Sequence, residues 1–161
     1  PYDAAIIFGT HQSAGDLLFE EALTPVASPD TPCDPQLSAI TFLHPTRDKT
    51  DWLLWLAHYP HELTLKMHKN QYFDTMDLAI TAAMQGLGVA MADETLIAED
   101  LRTGRLCRPF SLSVKTGASY RLVVRRSQSK ADGLARFRAA LVNPASHDAS
   151  SPGETAPAAR A

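Results

Sequence analysis

Phe73-Asp-Thr-Met-Asp-Leu-Ala-Ile-Thr-Ala-Ala-Met-Gln-Gly-Leu-Gly-Val-Ala-Met91 spells out a capped helix, a glycine turn and the start of a strand. Asp74 or Thr75 offers a side-chain oxygen for the unpaired N–H groups of a helix start. Met76, Ile80, Ala83 and Met84 recur at the spacing of one helical face. Gly86 supplies a left-handed stop, and residues 89–91 open a buried strand. The glycines of Gly86-Leu-Gly88 end a helix and open a strand. That is the reverse of a dinucleotide-binding loop, which follows a strand and opens a helix.

Outward from this unit, strands and helices alternate. The apolar run of residues 4–8, closed by Gly9, predicts a strand buried on both faces of a parallel sheet. Residues 17–27 predict an extended stretch in which Pro25 marks an edge, a bulge or a crossing between lobes. Residues 31–37, with Pro32 and Pro35, read as a loop, and residues 40–43 as a short strand. Asp51 can cap a helix over residues 51–59, with Trp52, Trp55 and Leu56 on one face and Pro60 as its stop. Residues 63–67 are extended. A second helix over 94–102 ends at Gly104, and strands follow at 106–108 and 120–124. Residues 130–141 form a last amphipathic helix that buries Leu134, Phe137 and Leu141. The alternation predicts an α/β domain with a largely parallel sheet. From 144 to 161 the composition turns to Pro, Ala, Ser, Gly and Thr, which predicts a disordered tail.

The 161 residues are enough for one domain or two small lobes. With 45% hydrophobic and 20% charged residues, the chain is globular rather than disordered or fibrous. Fifteen Lys and Arg against 18 Asp and Glu leave a formal charge of −3, which argues against unaided gripping of nucleic-acid phosphates. No run approaches the roughly 20 apolar residues that span a bilayer, so no membrane partner is expected. Pro1 opens the chain with neither Met nor a secretory leader, which suggests a processed or trimmed product or a fragment. Cys33 and Cys107 are too few and too distant for a disulfide framework and read as reduced thiols of a cytoplasmic protein.

Chemistry-bearing patterns are sparse. His58 and His61 stand three apart with His68 beyond, but Pro60 interrupts the helix that would stack the first two, so no metal site is expected. There is no Gly-x-Ser-x-Gly elbow, and neither cysteine stands in a catalytic setting. Glu20 and Glu21 alternate faces of a strand and cannot share one substrate atom, while Glu99 and Asp100 read as a solvated helix face. No catalytic residue and no cofactor are expected. A binding reading remains. The helix start at Thr75 offers backbone N–H groups, a hydroxyl and a positive dipole end, suited to a carboxylate or another polar small molecule. Capping alone would explain the same residues.

The 73–91 stretch, followed by Leu101-Arg-Thr-Gly-Arg-Leu-Cys-Arg-Pro-Phe110, closely resembles the effector-binding domain of LysR-type transcriptional regulators. That family shows a Phe-Asp-Ser/Thr helix start, an Ala-Ala-x-x-Gly-x-Gly-Val-Ala turn and a Leu-x-x-Gly-x-Leu-x-x-Pro-Phe run. Ala27-Ser-Pro29, the turn at Gly9, the closing Tyr120-Arg-Leu-Val and the final helix fit the same pattern. Asp51-Trp-Leu-Leu-Trp55, after Leu43-His44, is similar to the subgroup of glycine-cleavage and β-lactamase regulators.

The resemblance implies a two-lobe, type 2 periplasmic-binding-protein-like α/β fold over residues 1–143. It implies a second lobe at 28–118, with an incomplete first lobe formed by 1–27 and 119–143. A small-molecule effector would bind in the cleft between lobes. Thr10 and His11 would flank it from the Gly9 turn, Asp74, Thr75 and Met76 from the helix start, and Tyr120 from the returning strand. Met76 stands where the family often has a small polar residue. DNA would be bound only through an N-terminal helix-turn-helix that this chain lacks, in a homodimer or tetramer of the full-length regulator. A stand-alone solute-binding protein of the same fold is the alternative.

Overall fold

The computed structural model describes residues 3–10, 15–32, 40–59, 67–124 and 132–142. Its elements in chain order are β1 (Ala4–Gly9), β2 (Asp16–Val26), β3 (Thr41–His44), α1 (Thr50–His58), β4 (Lys69–Tyr72), α2 (Met76–Met84), β5 (Val89–Asp93), α3 (Ala98–Arg102), β6 (Val114–Val124) and α4 (Asp132–Val142). They divide between two units, Pro1–Leu18 with Ser119–Ala161, and Phe19–Ala118. The strands β2 and β6 run from one unit into the other.

In the unit Phe19–Ala118 the strands lie in the order β6-β2-β5-β3-β4. β3 is parallel to both β4 and β5, with Phe42 opposite Asn70 and Val89. β2 joins β5 antiparallel, pairing Leu23 with Asp93 and Val26 with Ala90. The parallel part is therefore three strands, fewer than the apolar runs predict, because β2 enters the sheet against the direction of β5. Pro25 pairs opposite Met91 near the end of β2, close to where β6 begins, and Thr24 Oγ1 donates there to the Leu112 carbonyl at 3.2 Å.

Two cores sandwich this sheet. On one face α1 drives Trp52 and Trp55 against Leu23, Phe42, Val89 and Met91. Both indoles are satisfied: Trp52 Nε1 donates to the Leu43 carbonyl at 3.3 Å and Trp55 Nε1 to that of Leu112 at 3.0 Å. On the other face α2 lays Ala79, Ile80, Ala82 and Ala83 onto Val26, Leu43, Ala90 and Ala92. The turn between α2 and β5 depends on its glycines. Gly86 has φ +77°, and Gly88 has φ +159° with the Thr41 carbonyl 2.1 Å from where a Cβ would sit. A side chain at Gly88 would collide with β3 backbone.

In the other unit β1 lies antiparallel to the end of β6, from Ala4 opposite Val124 to Gly9 opposite Ser119. β1 corrects the sequence reading. Among the described residues it is an edge strand with one neighbour, and Ile6 and Phe8 are each 54% exposed. Its apolar run reflects side-by-side packing such as Phe8 on Tyr120, not burial on both faces. Arg138 of α4 grips Asp16 with two hydrogen bonds of 2.6 Å.

Three other boundaries shift. α1 begins at Thr50 with Lys49 as its N-cap in the left-handed region (φ 60°), so Asp51 sits inside the first turn. α3 is confined to Ala98–Arg102, after a turn. Residues 106–108 contribute a single bridge, Cys107 to Ala27, rather than a strand. Phe137, placed on the buried stripe by spacing, is 49% exposed. The loop at 33–37, His61, most of the extended 63–67 segment and the tail 144–161 lie outside the described residues.

Candidate functional site

The carboxyl ends of the parallel strands gather the polar chemistry of the unit Phe19–Ala118. β4 ends at Tyr72 and leads through Asp74 to α2, whose N-cap is Thr75. Thr75 adopts the extended backbone expected of a cap (φ −143°), and its Oγ1 accepts from Leu78 N at 3.4 Å. Asp74 and Thr75 are exposed, and the first-turn N–H groups of α2 have no helical partners by construction of the helix. Met76 is half-buried and packs against both cores, so its side chain anchors the helix start.

β3 ends in His44, wholly buried and stacked on Tyr72 at 5.1 Å between ring centroids. Asn70 donates Nδ2 to the Met67 carbonyl at 2.7 Å, which orients its amide. Its Oδ1 therefore accepts from His44 Nε2 at 2.8 Å. His44 Nδ1 is left as a buried acceptor without a hydrogen-bond partner. Burial pushes the His44 pKa down, opposed by the bond to Asn70 and reinforced by the Lys49 charge.

β5 ends in Asp93, also wholly buried. Its Oδ1 accepts from Thr95 N at 2.9 Å, while Oδ2 has no partner. Glu21 of β2, 8% exposed, accepts from Thr116 Oγ1 at 2.6 Å. Burial raises both pKa values. For Glu21 the Thr116 bond opposes the rise, and repulsion from Asp93 and Asp51 adds to it. For Asp93 the N–H groups of Thr95 and Leu96 oppose it. Asp51 is pushed up by burial and then by Asp48. Asp48 itself, held by the Thr46 and Thr50 hydroxyls, falls to about 2.

The sequence-predicted residues separate by unit. Asp74, Thr75 and Met76 are contiguous at the α2 start. Thr10 is exposed just beyond Gly9, and Gly9 pairs with Ser119, so Thr10 and Tyr120 lie near one end of the β1–β6 ladder. Tyr120 is half-buried against Phe8, with ring centroids 4.7 Å apart. His11 lies outside the described residues. Sequence reasoning missed His44, Glu21 and Asp93 as a polar group. The alternation of Glu20 and Glu21 was the available signal: Glu20 pairs with Lys115 at the surface and Glu21 turns inward. Among the described residues no three His, Cys, Asp or Glu side chains converge to hold a metal ion. His58 Nδ1 instead bonds the Leu54 carbonyl at 2.9 Å.

The profile described as "LysR substrate binding domain" matches residues 1–145. The chain belongs to this family. It is 31% identical over 156 residues to the HTH-type transcriptional activator AmpR of Pseudomonas aeruginosa, covering 91% of this chain and 51% of that protein. It is 29% identical over 151 residues to the glycine cleavage system transcriptional activator of Escherichia coli K12, covering 84% and 47%. Among solved structures, the effector domain of Pseudomonas aeruginosa AmpR matches with a TM-score of 0.65 at 28% identity, covering 88% of this chain and 71% of that one. The LysR chain thus has the type 2 periplasmic-binding-protein-like α/β fold of these effector-binding domains. It spans about half the length of the curated relatives it matches. Their naming as transcriptional regulators favours an effector-binding domain over a stand-alone solute-binding protein. Among the described residues no helix is long and apolar enough to cross a membrane.

Proposed function

We propose that this LysR domain senses a small polar effector for a cytoplasmic bacterial regulator and performs no catalysis. Asp74, Thr75 and Met76 would form one part of the effector site, and Thr10, His11 and Tyr120 another. DNA would be contacted by a helix-turn-helix outside the chain, in a homodimer or tetramer. The observation that carries the reading is the start of α2: an extended, exposed Thr75 heads a nine-residue helix at the carboxyl edge of a parallel sheet. Ligands of open α/β sheets collect at such edges, and the helix dipole favours an anionic or polar group there. Effector binding would shift a pre-existing equilibrium between conformations, in proportion to its differential affinity for them.

The test is a thermal-shift titration of the 161-residue chain with acetate as the smallest carboxylate probe, repeated on Thr75→Val. A saturable stabilisation in the parent that weakens several-fold in the variant supports the site. Equal curves for the two proteins return Thr75 to the role of a cap alone.

A further inference from the structure

His44 closes β3 on the α1 face, because Phe42 belongs to the core under α1 and Leu43 to the core under α2. The parallel register puts Phe42 opposite Asn70 and His44 opposite Tyr72, so His44 meets the end of β4 three times over. Its Nε2 donates to Asn70 Oδ1 at 2.8 Å, and its ring stacks on Tyr72 with 24° between planes. Its carbonyl accepts from Phe73 N at 2.8 Å. Only Phe73 and Asp74 separate Tyr72 from Thr75, the N-cap of α2. The end of β3 thus holds the turn that leads to Thr75.

This clamp suits an uncharged ring. Asn70 Nδ2 donates to the Met67 carbonyl at 2.7 Å, which leaves Oδ1 to accept and fixes the His44 hydrogen on Nε2. Nδ1 is then a buried lone pair without a hydrogen-bond partner among the described residues. A proton added there meets no acceptor, which is costly in a buried site. The surrounding groups give no relief. Tyr72 of β4 offers its ring face, and Lys49, ahead of α1, holds Nζ 5.9 Å from that ring's centroid with the same sign as an imidazolium. On β5 the acid on this face is Asp93, one alternation beyond Met91, and its Oδ1 is taken by Thr95 N. Near the start of α1, Asp48 is bound by the Thr46 and Thr50 hydroxyls, and burial pushes Asp51 toward its neutral form. No ion pair among the described residues involves His44.

We infer that His44 is a positioning residue for the effector site: its neutral Nε2–H form clamps the turn that carries Thr75, and a proton taken up at Nδ1 releases that turn. The inference rests on the effector-sensing reading above and adds the proton as a second signal at the same site. An imidazolium cannot stay between Asn70 and Tyr72 without an acceptor for its new N–H. When the ring leaves, Asn70 Oδ1 and the Tyr72 stack lose their partner, and Thr75 is held less firmly. Burial disfavours the protonated ring in the folded chain, opposed by the Asn70 bond and reinforced by the Lys49 charge. The clamp is therefore intact above the ordinary imidazole value of 6.5 and opens progressively as pH falls below it. A ligand that binds the clamped form competes with the proton, so effector affinity falls in the same direction.

The experiment follows the His44 ring and the amides of Tyr72, Phe73, Asp74 and Thr75 by NMR in the 161-residue chain, from about pH 8 to about pH 5. All five signals are expected to move on one curve with a midpoint below 6.5. His44→Gln can still donate to Asn70 Oδ1 but takes no proton, so its four amides should not follow that curve. Asn70→Asp gives the imidazolium a carboxylate and should raise the midpoint by about one pH unit. Acetate affinity, read from the same amides, should weaken by up to about tenfold per pH unit below the midpoint in the parent, relative to His44→Gln. A His44 ring that titrates without the amides, or amides that titrate alike in His44→Gln, would overturn the clamp. Should that variant fail to fold, an unmoved midpoint in Asn70→Asp overturns it alone. If acetate binds at no pH, the effector site at Thr75 falls, and the pH curves still decide the clamp.

Discussion

The two faces of the sheet in the unit Phe19–Ala118 are built from opposite materials. Under α1 the contact is aromatic: Phe42 meets Trp52 edge-on at 4.8 Å between centroids, and Trp52 meets Trp55 at 6.2 Å. Tyr59 and Phe110 extend the cluster around Trp55, at 4.6 and 5.4 Å. Under α2 the contact is a layer of small residues, Ala79, Ala82 and Ala83 against Ala90 and Ala92, which lets helix and strand backbones approach closely. The α2 face also closes on itself through backbone, with Ser28 N donating to the Ala83 carbonyl at 3.1 Å. The α1 face ends instead in buried acidic groups.

This contrast can be broken from either side. The largest effect is expected from Trp55→Ala, which empties a wholly buried ring site and removes one of the two donors to the Leu112 carbonyl. A loss of about 3–5 kcal/mol is expected, read as a fall in the urea midpoint. A loss below 1 kcal/mol would mean that the aromatic face does not hold the unit together. On the opposite face the sensitivity is to added volume. Ala83→Leu should cost about 1–3 kcal/mol by the same measurement, because the alanine layer has no room for a branched chain. A neutral result would show the layer to be loosely filled.

The smallest effect has the opposite sign. Asp93→Asn should stabilise the chain at mildly alkaline pH, since Asn preserves an acceptor for Thr95 N and removes a buried charge. Burial raises the Asp93 pKa in the folded state, so its ionised form is unfavourable there. That cost is fully present above the folded pKa and disappears as pH falls through it, so the variant's advantage should shrink toward acid. Asp48, whose pKa is lowered to about 2, acts the other way. Its contribution is present above its unfolded value and is lost only in stronger acid. Parallel pH profiles for the variant and its parent would show that Asp93 does not carry an unfavourable charge.

Much of this was legible in residue order, where the cause is local. Thr75 caps α2 because a hydroxyl two or three residues from unpaired N–H groups closes a small ring, whatever the rest of the chain does. Gly86 stops the helix by a left-handed turn that other residues resist. Trp52 and Trp55 both face the sheet because three residues nearly complete a helical turn. The motif from Phe73 to Phe110 was specific enough to name the LysR domain without any distance. Other readings missed where the cause was remote. The apolar run of β1 was read as doubly buried, but burial depends on how many strands flank it. Asp51 was read as a cap, whereas Lys49 takes that position through a left-handed backbone and leaves Asp51 inside the turn.

Residue order alone specifies the capped helix, its glycine stop, the alternation of strands and helices and the family to which they belong. These depend on interactions spanning a few residues, which residue order records directly. Long-range packing sets β2 against β5, turns Glu21 inward while Glu20 meets Lys115, and ends neighbouring strands in Asp93 and His44 with acceptors unpaired. Glu21, Asp51 and Asp93 are separated by 30 and then 42 positions, and no local rule relates them. Strand register sets Glu21 and Asp93 on one face, because Leu23 and Met91 beside them are buried in one core.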